Sequence, residues 1–554
     1  MITATWNWLW DKHDQAKEML RFFVRPNESK FGSDSTNPNS TKETSGGNGN
    51  GTNHKRPYST AQLIGLILGP VLFILTLLFF QPEGLSDAGQ AVLASTIWIA
   101  VWWMTEAIPI PATSLLPIIL FPLTGGLEIA PTTSSYGDDT VFLFMGGFMI
   151  ALAMEKWNLH KRIALTIISV IGTNTERIIL GFMVATGFLS MWISNTATAM
   201  MMVPIGLAII YQVSDQLKND DTIDTSKENF AFGKALMLAI AYSASVGGIS
   251  TLIGTPPNTA LAGAVDNMYG IEISFAGWML FGVPVAWLFI FVIWFYLVKV
   301  AYPQKVNQLP GGREIIQEQK DALGKASFEE KGVLVVFTIA ALAWITRSFI
   351  LVEFVNENIS DAIIAMTAAI ILFIIPAKNR EGDHLLDWNS AVKLPWGILL
   401  LFGGGLAIAS GFQESGLSEW LGNQLTVLEG VHLFIVLLVV AGMVIFLTEI
   451  TSNTATANMM YPIMGSLAMA LGVHPFTVMV AAGVAASSAF MLPVATPPNA
   501  VVFGSGYLRI PDMAKAGIAL NLFGILLAAL AIYFWLPIAW GIDLTEVPEM
   551  IQNN

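Results

Sequence analysis

Phe188 to Ile205 reads FLSMWISNTATAMMMVPI, and Phe446 to Ile463 reads FLTEITSNTATANMMYPI. Twelve of the eighteen positions are identical. Each copy is followed by a second shared block, GTPPN at Gly254 to Asn258 and ATPPN at Ala495 to Asn499. A duplicated pair of polar, helix-breaking motifs inside apolar sequence indicates a two-fold binding site inside a membrane.

The composition indicates a polytopic membrane protein. Of the 554 residues, 54% are hydrophobic and 12% are charged, against about 25% charged in an average soluble domain. The mean hydropathy is +0.62. Apolar runs such as 61–80, 274–300 and 515–540 reach the roughly 20 residues that a spanning helix needs. These runs do not alternate with period two, so an all-α fold is expected rather than a β-barrel.

Charge and residue usage exclude several other classes of function. The net charge of −13 argues against nucleic acid as a partner. The absence of cysteine excludes disulfides, thiolate metal sites and cysteine catalysis. The six histidines fall in tails, loops or span ends, which argues against zinc and proton-relay chemistry. The first apolar run begins only near residue 60, so no signal peptide is expected.

Apolar segments divide the chain into spans and two interrupted segments. The segments 177–212 and 431–471 each hold a motif at the centre, so each either crosses twice or returns as a re-entrant hairpin. Residues 1–58 are expected to form a partly disordered cytoplasmic tail, in which 6–24 could be an amphipathic surface helix. The expected spans are 60–80, 88–106, 108–124, 140–157, 233–265, 273–301, 333–353, 360–376, 395–412, 476–505 and 515–540.

Basic residues are distributed unevenly between the connections. The tail, the loop near 302–332 and two further clusters carry Lys and Arg, whereas 81–87, 125–139 and 354–359 carry none. By the positive-inside rule, the N-terminus is expected in the cytoplasm and the C-terminus outside. This needs an odd number of crossings, which eleven spans plus two re-entrant hairpins provide. The hairpin with Ser194 then opens inward and its twin with Ser452 outward, so the repeat is inverted.

The spacing of equivalent motifs supports a long duplication. Gly146 precedes Ser194 by the same distance that Gly404 precedes Ser452, which gives an offset of 258 residues. The TPPN blocks are offset by 241 residues, and the difference of 17 is absorbed by a polar insertion near 213–232. We interpret the insertion as a cytoplasmic loop without chemistry. The glycine pairs at 146–147 and 404–405 are expected to permit close helix packing rather than to contact a ligand.

The triplet Ser194-Asn195-Thr196 lies between two apolar segments and offers two hydroxyls, an amide and freed backbone groups. Irregular backbone at membrane depth persists where it lines a cavity or finds partners. Such oxygen ligands suit a hard cation such as Na⁺, and the N-terminus of the helix that follows favours an anion. The alternative is a tight turn capped by Ser and Thr. Two inverted copies, each paired with a TPPN block, favour a binding site.

The blocks that begin at Thr255 and Thr496 each place two prolines inside apolar sequence. Proline lacks the backbone donor that a helix requires, so the helix is expected to unwind there. The carbonyls of Ile253, Gly254 and their neighbours then become available to a cation. A simple proline kink is the alternative.

No Lys or Arg lies in or beside either motif pair. An anionic substrate would therefore depend on helix N-termini and bound cations, which is a physical reason for obligate coupling to Na⁺. Two acids, Glu106 and Glu449, lie near membrane depth. Intramembrane acids are candidates for ion or proton coupling; the interpretation that we favour is hydrogen bonding to local backbone near a helix break.

The four motifs in this order resemble the divalent anion:sodium symporter family over residues from about 59 to 545. Segments such as LIGTPPN, LPWGILLLFGGG and LPVATPPNAVVFGSG are similar to bacterial sodium-dependent dicarboxylate transporters. The resemblance implies symport of C4-dicarboxylates such as succinate, fumarate and malate with two or more sodium ions. It also implies a plasma-membrane homodimer whose transport domain slides through the bilayer by an elevator mechanism.

Carried over by position, the resemblance implies two sodium sites and one substrate site. The first sodium site would use Ser190, Ser194, Asn195 and Gly254. The second would use Thr448, Thr451, Asn453 and Ala495. The dicarboxylate would contact residues of both motif pairs, namely Asn195, Thr196, Thr255, Ser452, Asn453, Thr454, Thr496 and Pro497.

The resemblance also implies a scaffold part and a transport part. Transport elements are expected in 136–272, with the hairpin 177–212 and the broken helix 233–265, and in 394–510, with the hairpin 431–471 and the broken helix 476–505. Scaffold helices are expected in 59–135 and 273–393, and the last helix with an extracytoplasmic C-terminus in 511–554.

Other functions stay open at this point. A sodium-independent dicarboxylate exchanger, or a sodium-coupled citrate or sulfate transporter, would use the same motifs. A channel is a further alternative. An intramembrane enzyme would need a nucleophile with a base, paired carboxylates or a metal centre at membrane depth, and the sequence contains no such constellation. We therefore expect a transporter and not an enzyme.

Overall fold

The computed structural model describes residues 58–548 and 551, apart from 173, 218–223, 305–311, 380–381 and 429. Within these residues the chain is helical and has no β-sheet; Pro376 and His384 form an isolated β-bridge. The predicted all-α fold is confirmed. The amphipathic helix predicted at 6–24 and the disordered tail lie outside the described residues.

The helices of the first half lead up to the first TPPN block and beyond it. Short 3-10 turns at 135–137 and 248–250 connect some of them. The helices are α1 (Thr60–Phe79), α2 (Asp87–Thr105), α3 (Ile110–Thr113), α4 (Leu116–Thr124), α5 (Ile129–Ser134), α6 (Asp139–Lys156), α7 (Leu159–Ile171), α8 (Thr175–Ser190), α9 (Asn195–Gln216), α10 (Ala231–Gly247) and α11 (Pro256–Tyr269).

The helices of the remaining chain include three π-helical turns, at 297–301, 347–351 and 531–535, inside long spans. The helices are α12 (Phe275–Tyr296), α13 (Gly312–Ala322), α14 (Phe328–Thr346), α15 (Val352–Phe354), α16 (Asp361–Ile374), α17 (Trp388–Ala391), α18 (Trp396–Glu414), α19 (Leu417–Leu425), α20 (Leu433–Thr448), α21 (Asn453–Ala470), α22 (Pro475–Ala486), α23 (Pro497–Phe503), α24 (Ile510–Leu530) and α25 (Leu536–Trp540).

Serine N-caps explain where several long helices begin. The hydroxyls of Ser59, Ser86 and Ser274 each accept a backbone N–H from the first turn of α1, α2 and α12. A cap of this kind satisfies a donor that the helix itself leaves unpaired. Ser327 starts α14 in the same way, with Glu330 completing a capping box.

Eight helical segments of the described chain are long and apolar enough to cross a membrane. They are Thr60–Phe79, Ile129–Lys156, Asn195–Gln216, Ala231–Ser250, Phe275–Ala301, Phe328–Phe354, Trp396–Glu414 and Ile510–Trp540. A ninth is added if Leu417–Leu428 and Leu433–Thr448, bent by 117°, form one span. The sequence predicts eleven spans, and part of the difference arises because 110–124, 361–374 and 475–486 are shorter apolar helices.

Both interrupted segments break at the SNT motif. α8 ends at Ser190 and α9 begins at Asn195, and α20 ends at Thr448 and α21 begins at Asn453. These boundaries keep the offset of 258 residues seen in the sequence. Because the helices end and begin at equivalent residues, the two halves fold locally in the same way around this motif.

The helices also unwind at both TPPN blocks. α10 is separated from α11, which begins at Pro256, and α22 is separated from α23, which begins at Pro497. In each block the two prolines occupy the first two helical positions, where a missing backbone donor costs nothing. The unwound residues lie before the prolines, at 251–255 and 487–496.

The helix that follows each TPPN block packs against helices of the other half, so the two halves exchange α11 and α23. α11 packs against α21 and α22, and α23 packs against α9 and α10. The hydroxyl of Tyr461 on α21 donates to the carbonyl of Pro257 at 2.6 Å, and Tyr242 on α10 donates to the carbonyl of Phe490 at 2.8 Å. The exchange places the breaks of one half beside the breaks of the other.

The glycine pairs serve close helix packing, as the sequence predicts. A Cβ on Gly146 would lie 2.7 Å from the backbone of Ala365 on α16. A Cβ on Gly404 would lie 2.5 Å from the carbonyl oxygen of Ser114. Since real Cβ contacts are longer than this, the helices approach closely only because these positions lack side chains.

Two short amphipathic helices occupy equivalent places in the halves. α7 connects α6 to α8, and α19 connects α18 to α20. Each is preceded by a residue with positive φ, Asn158 at 57° and Gly416 at 75°, which turns the chain sharply after a long helix. The side chain of Arg162 on α7 pairs with Glu330 at 2.9 Å.

Candidate functional site

A cavity of about 1000 Å³ lies where the two halves meet. Both SNT breaks and both TPPN blocks line it, because the exchange of α11 and α23 brings them together. All eight residues predicted to contact the substrate are in this lining: Asn195, Thr196, Thr255, Ser452, Asn453, Thr454, Thr496 and Pro497. The duplicated motifs therefore form one site with two halves. We call 190–196 with 248–255 the first half-site, and 448–454 with 489–496 the second half-site.

Oxygen atoms converge behind the cavity wall in the first half-site. Ser194, Asn195 and Gly254 line the cavity, and Ser190 is fully buried. The hydroxyl oxygen of Ser190 lies 2.5 Å from Oδ1 of Asn195 and 2.6 Å from the carbonyl oxygen of Ala244. Three of the predicted ligands of the first sodium ion, Ser190, Asn195 and Gly254, thus lie close together, and Ser194 lines the same cavity. The carbonyl of Ala244 lies beside them, for which the sequence contained no signal, and sodium binding here stays a prediction.

The second half-site repeats this arrangement. Thr451, Asn453 and Ala495 line the cavity, and Thr448 is fully buried. The Thr448 hydroxyl donates to Oδ1 of Asn453 at 2.7 Å and also lies 3.2 Å from the carbonyl oxygen of Ala486. Of the predicted ligands of the second sodium ion, Thr448 and Asn453 are therefore in contact, while the Thr451 hydroxyl bonds to the carbonyl of Leu447. The role of all four in binding stays a prediction.

The asparagine that ends the first TPPN block holds the unwound loop. Asn258 is fully buried, and its amide nitrogen donates to the carbonyls of Gly248, Ile249 and Thr251 at 3.2, 3.1 and 2.8 Å. Three carbonyl oxygens would repel one another without such a donor, so Asn258 keeps the loop compact behind the cavity wall. The sequence analysis quoted this residue within its motif but assigned it no role.

Asn499 performs the same task in the second half-site. It is fully buried, and its amide nitrogen donates to the carbonyls of Ala489 and Leu492 at 3.4 and 3.0 Å. The repetition of this pattern in both halves is the signal by which the two asparagines could have been recognised, because a duplicated polar residue in an apolar segment needs a partner.

Glu449 holds the loop of the second half-site from the opposite side. Its carboxylate accepts the backbone N–H groups of Phe490, Met491 and Leu492 at 2.8, 2.9 and 3.0 Å. Asn521 donates a fourth hydrogen bond at 2.7 Å. The side chain is buried, and the interpretation that it hydrogen-bonds backbone near a helix break is confirmed.

Glu106 lies at the edge of the cavity and behaves differently. It is exposed, has a left-handed φ of 47°, and its main-chain carbonyl accepts a hydrogen bond from Gln62 at 3.0 Å. Within the described chain, no hydrogen bond or ion pair involves its carboxylate, so the predicted bond from its side chain to local backbone is wrong. Among the described residues that line the cavity, Glu106 is the only one with an acidic or basic side chain.

Helix N-termini supply the positive potential of the site. α9, α11, α21 and α23 all begin at residues that line the cavity. The first N–H groups of a helix carry a partial positive charge that favours anions. α11 and α23 begin with two prolines, which have no N–H, so α9 and α21 present most of these donors. The cavity therefore offers oxygen ligands to cations and helix N-termini to an anion, as the lack of nearby Lys and Arg in the motifs suggests. This arrangement suits the joint binding of cations and an anion.

Two solved structures are similar in fold. MtrF of Neisseria gonorrhoeae, described with a class of antimetabolite efflux pumps, aligns with a TM-score of 0.52 and 12% identity, covering 86% of this chain and 94% of its own. The YdaH transporter of Alcanivorax borkumensis aligns with a TM-score of 0.52 and 13% identity, covering 80% of this chain and 99% of its own. At these identities the likeness concerns the fold alone.

Relatives from staphylococci are much more similar in sequence. A protein of Staphylococcus saprophyticus named sodium-dependent dicarboxylate transporter SdcS is 52% identical over 493 residues, which cover 89% of this chain and 94% of the relative. The protein of the same name from Staphylococcus aureus strain MRSA252 is 52% identical over 494 residues, with the same coverage. In addition, the model of the sodium:sulfate symporter transmembrane region matches residues 60–541. The chain therefore belongs to the sodium:sulfate symporter family.

Proposed function

We propose that the protein is a sodium-coupled symporter that imports C4-dicarboxylates such as succinate, fumarate and malate. The observation that carries this proposal is one cavity in which two oxygen-rich half-sites meet the N-termini of α9 and α21, and in which none of the described lining residues is Lys or Arg. The names of the relatives at 52% identity support both sodium and a dicarboxylate as the transported species.

The negative charge of the substrate explains why its binding would be coupled to sodium. A dianion in a low-dielectric cavity without Lys or Arg is poorly stabilised by helix N-termini alone. Two sodium ions in the half-sites would neutralise the two carboxylates, so that the loaded site carries no net charge. Any further sodium ion per cycle would make transport electrogenic.

The membrane topology that we propose has eleven crossings and two re-entrant hairpins, with a cytoplasmic N-terminus and an extracytoplasmic C-terminus. The uneven distribution of Lys and Arg between the connections supports it. Because the chain contains no cysteine, single-cysteine labelling needs no prior removal of native thiols. An impermeant maleimide added to intact cells should label Glu357→Cys and leave Lys325→Cys unlabelled; the reverse pattern would invert the topology.

We further propose an elevator mechanism in a homodimer, with α7 and α19 as the connectors between the stationary and moving parts. α6 packs closely on α16, and Lys156 at its end pairs with Asp383 and Asp387 at 2.9 and 2.5 Å. These contacts favour assigning α6 to the scaffold. They shift the proposed start of the first transport elements from 136 to the region of α7.

The second half supports the same shift. α18 shares a hydrophobic cluster with α2 and α4, in which Phe412 packs with Val92 and Phe121. This packing favours assigning α18 to the scaffold, so that the second moving part begins near α19 rather than at 394. Cysteine pairs that cross-link α6 to α16 should leave transport intact, whereas pairs that cross-link α2 to α21 should stop it.

Succinate uptake into proteoliposomes tests the function directly. Uptake should require an inward sodium gradient and should respond to membrane potential if more than two sodium ions accompany each dianion. Uptake that ignores sodium would refute the proposal. A requirement for internal dicarboxylate would identify an exchanger, and stronger competition by citrate or sulfate than by fumarate would change the substrate class.

A further inference from the structure

The segment that joins α11 to α12 is held by polar contacts at one end of the molecule. On α11, the amide nitrogen of Asn267 donates to Oδ2 of Asp138 at 2.9 Å, and its amide oxygen accepts from the hydroxyl of Ser410 on α18 at 3.1 Å. Asp138 is the N-cap residue of α6. A single side chain of α11 therefore bridges two helices that we assign to the scaffold.

The start of α12 is held in a similar way. The backbone N–H of Phe275 donates to Oδ2 of Asp361 at 2.8 Å, and Oδ1 of Asp361 lies 2.9 Å from Nε of Arg347. Arg347 also pairs with Glu272, in the segment before α12. The ring of Phe275 stacks on that of Trp344 with centroids 4.6 Å apart. Asp361 and Arg347 are both buried, so the contacts to α12 are protected from competition by water.

These contacts join elements on opposite sides of the proposed division into moving and stationary parts. α11 begins at the first TPPN block, and α12 packs against α8, α10 and the turn 248–250, which favours assigning both helices to the moving part. α14 packs against α16 and α6, which favours assigning Arg347 and Asp361 to the stationary part. The contacts described above therefore have to break when the moving part slides.

The contacts lie at the end of the molecule opposite the cavity mouth. Exposed lining residues such as Ser59 and Glu106 place the mouth at the start of α1 and the end of α2. By the proposed topology, this end faces the cytoplasm. The connections 125–139 and 354–359, which carry no Lys or Arg, lie at the other end beside the first residues of α6 and α16. By this topology the cavity opens inward while the outer contacts are formed.

Carboxylates from the two parts also face each other across this boundary. A small cavity of about 40 Å³ is lined by Asp266 and Glu272 from the moving part and by Asp139 and Asp361 from the stationary part. Within the described chain, Arg347 is the only cationic side chain that forms an ion pair with any of these four. Like charges this close raise the energy of the closed contact. Attraction and repulsion therefore oppose each other at the same boundary.

We propose that these contacts form an outer latch, which holds the moving part in the inward-facing position and which the opposing carboxylates weaken. The latch joins two sets of residues, Asn267, Glu272 and Phe275 on the moving side and Asp138, Arg347, Asp361 and Ser410 on the stationary side. Releasing it shifts the population towards the outward-facing state, and removing an opposing carboxylate shifts the population back. This inference rests on the proposed elevator mechanism and deepens it.

Labelling of a single cysteine in the full-length protein tests the latch. Val494 lines the cavity and is exposed, so the labelling of Val494→Cys by an impermeant maleimide outside intact cells follows the outward-facing fraction. In this background, Asn267→Ala should raise the external rate about fivefold, because two hydrogen bonds across the boundary are lost. Ser410→Ala removes one of the two and should raise the rate about twofold. Asp266→Asn, one residue away on the same helix, should lower it about twofold, because repulsion is relieved.

The matched control is Asp383→Asn, which removes an ion pair with Lys156 at 2.9 Å that stays within the scaffold. It should leave the external rate unchanged. An external rate that is the same in all the variants, or a rise in the control equal to that of Asn267→Ala, would overturn the latch. Opposite signs for Asn267→Ala and Asp266→Asn exclude a general loss of stability as the cause. Labelling needs no transport, so a lack of sodium-dependent succinate uptake in the parent would refute the proposed function by a separate measurement.

Discussion

The two half-sites share the positions of their ligands but differ in what holds them. In the first, the loop before the prolines contains Gly248 and Gly254, and it is supported by Asn258 and by the indole of Trp278, which donates to the carbonyl of Ile249 at 2.8 Å. The first loop is buried against α12. Glycine is required because backbone segments approach each other too closely for a Cβ.

In the second half-site, a carboxylate holds much of the loop before the prolines. Glu449 accepts three consecutive backbone N–H groups of the loop, whereas the equivalent residue of the first half is Met191. Val494 at the tip of the second loop is 78% exposed, while its counterpart Ile253 is 7% exposed. The comparison teaches that duplication kept the ligand geometry, while the supporting network changed with the surroundings of each loop.

The largest expected effect comes from removing the carboxylate of Glu449, which binds the backbone of the second loop. Glu449→Ala would leave the N–H groups of Met491 and Leu492 and the amide nitrogen of Asn521 without their acceptor, while the N–H of Phe490 would keep its 3.2 Å bond to Oδ1 of Asn521. We expect succinate uptake to fall by about 100-fold and the thermal midpoint to drop, because each orphaned buried donor is costly. Met191→Leu, at the equivalent position, should transport nearly normally. Equal losses in both variants would show that the position, and not the carboxylate, matters.

A smaller but clear effect is expected from adding one methyl group to the first loop. In Gly248→Ala, the new Cβ would lie within 3 Å of both Asn195 and the carbonyl of Gly254. The sodium concentration for half-maximal uptake should rise about tenfold, because overpacking displaces the predicted ligands. Ala489→Gly, the reciprocal change in the second loop, should alter it by less than about threefold. Sodium titration of uptake measures both variants.

Replacing Asn258 in the first loop should lower sodium affinity more than replacing Asn499 in the second loop. Asn258→Ala removes a donor to three carbonyls, whereas Asn499→Ala removes a donor to two in a loop that Glu449 also holds. We expect sodium affinity to fall about fivefold in the first variant and about twofold in the second. A larger effect in Asn499→Ala would contradict the view that Glu449 shares with Asn499 the support of the second loop.

The smallest expected effect concerns Glu106, the acidic side chain among the described residues of the cavity lining. Glu106→Gln should lower the apparent KM for succinate about twofold on the side to which the cavity opens, because repulsion of the dianion is relieved. The gain should shrink at high ionic strength. Glu106→Asp keeps the charge and should resemble the parent; an equal gain in that variant would exclude an electrostatic cause.

Much of the fold follows from local sequence. The helix breaks at Asn195, Asn453, Pro256 and Pro497 lie where the motifs predict them, since capping hydroxyls and prolines act on their own neighbours. The described chain has eight or nine helices long enough to cross a membrane where the sequence predicts eleven spans, because segments such as 108–124 are apolar throughout but Pro109 and Ser114 interrupt their helices. Apolar composition shows that a segment can enter a membrane but does not determine how far it continues as a helix.

The sequence by itself determined that there are two equivalent oxygen-rich breaks and that no Lys or Arg accompanies them, because duplication and residue type are properties of the chain. Only the tertiary structure decided what supports each break. Asn258, Asn499 and Glu449 reach their loops across unwound backbone, and the carbonyl of Ala244 joins the first half-site from another helix. Hydrogen bonds of this kind depend on how helices pack in three dimensions, and the exchange of α11 and α23 between the halves is the packing that makes two motifs into one site.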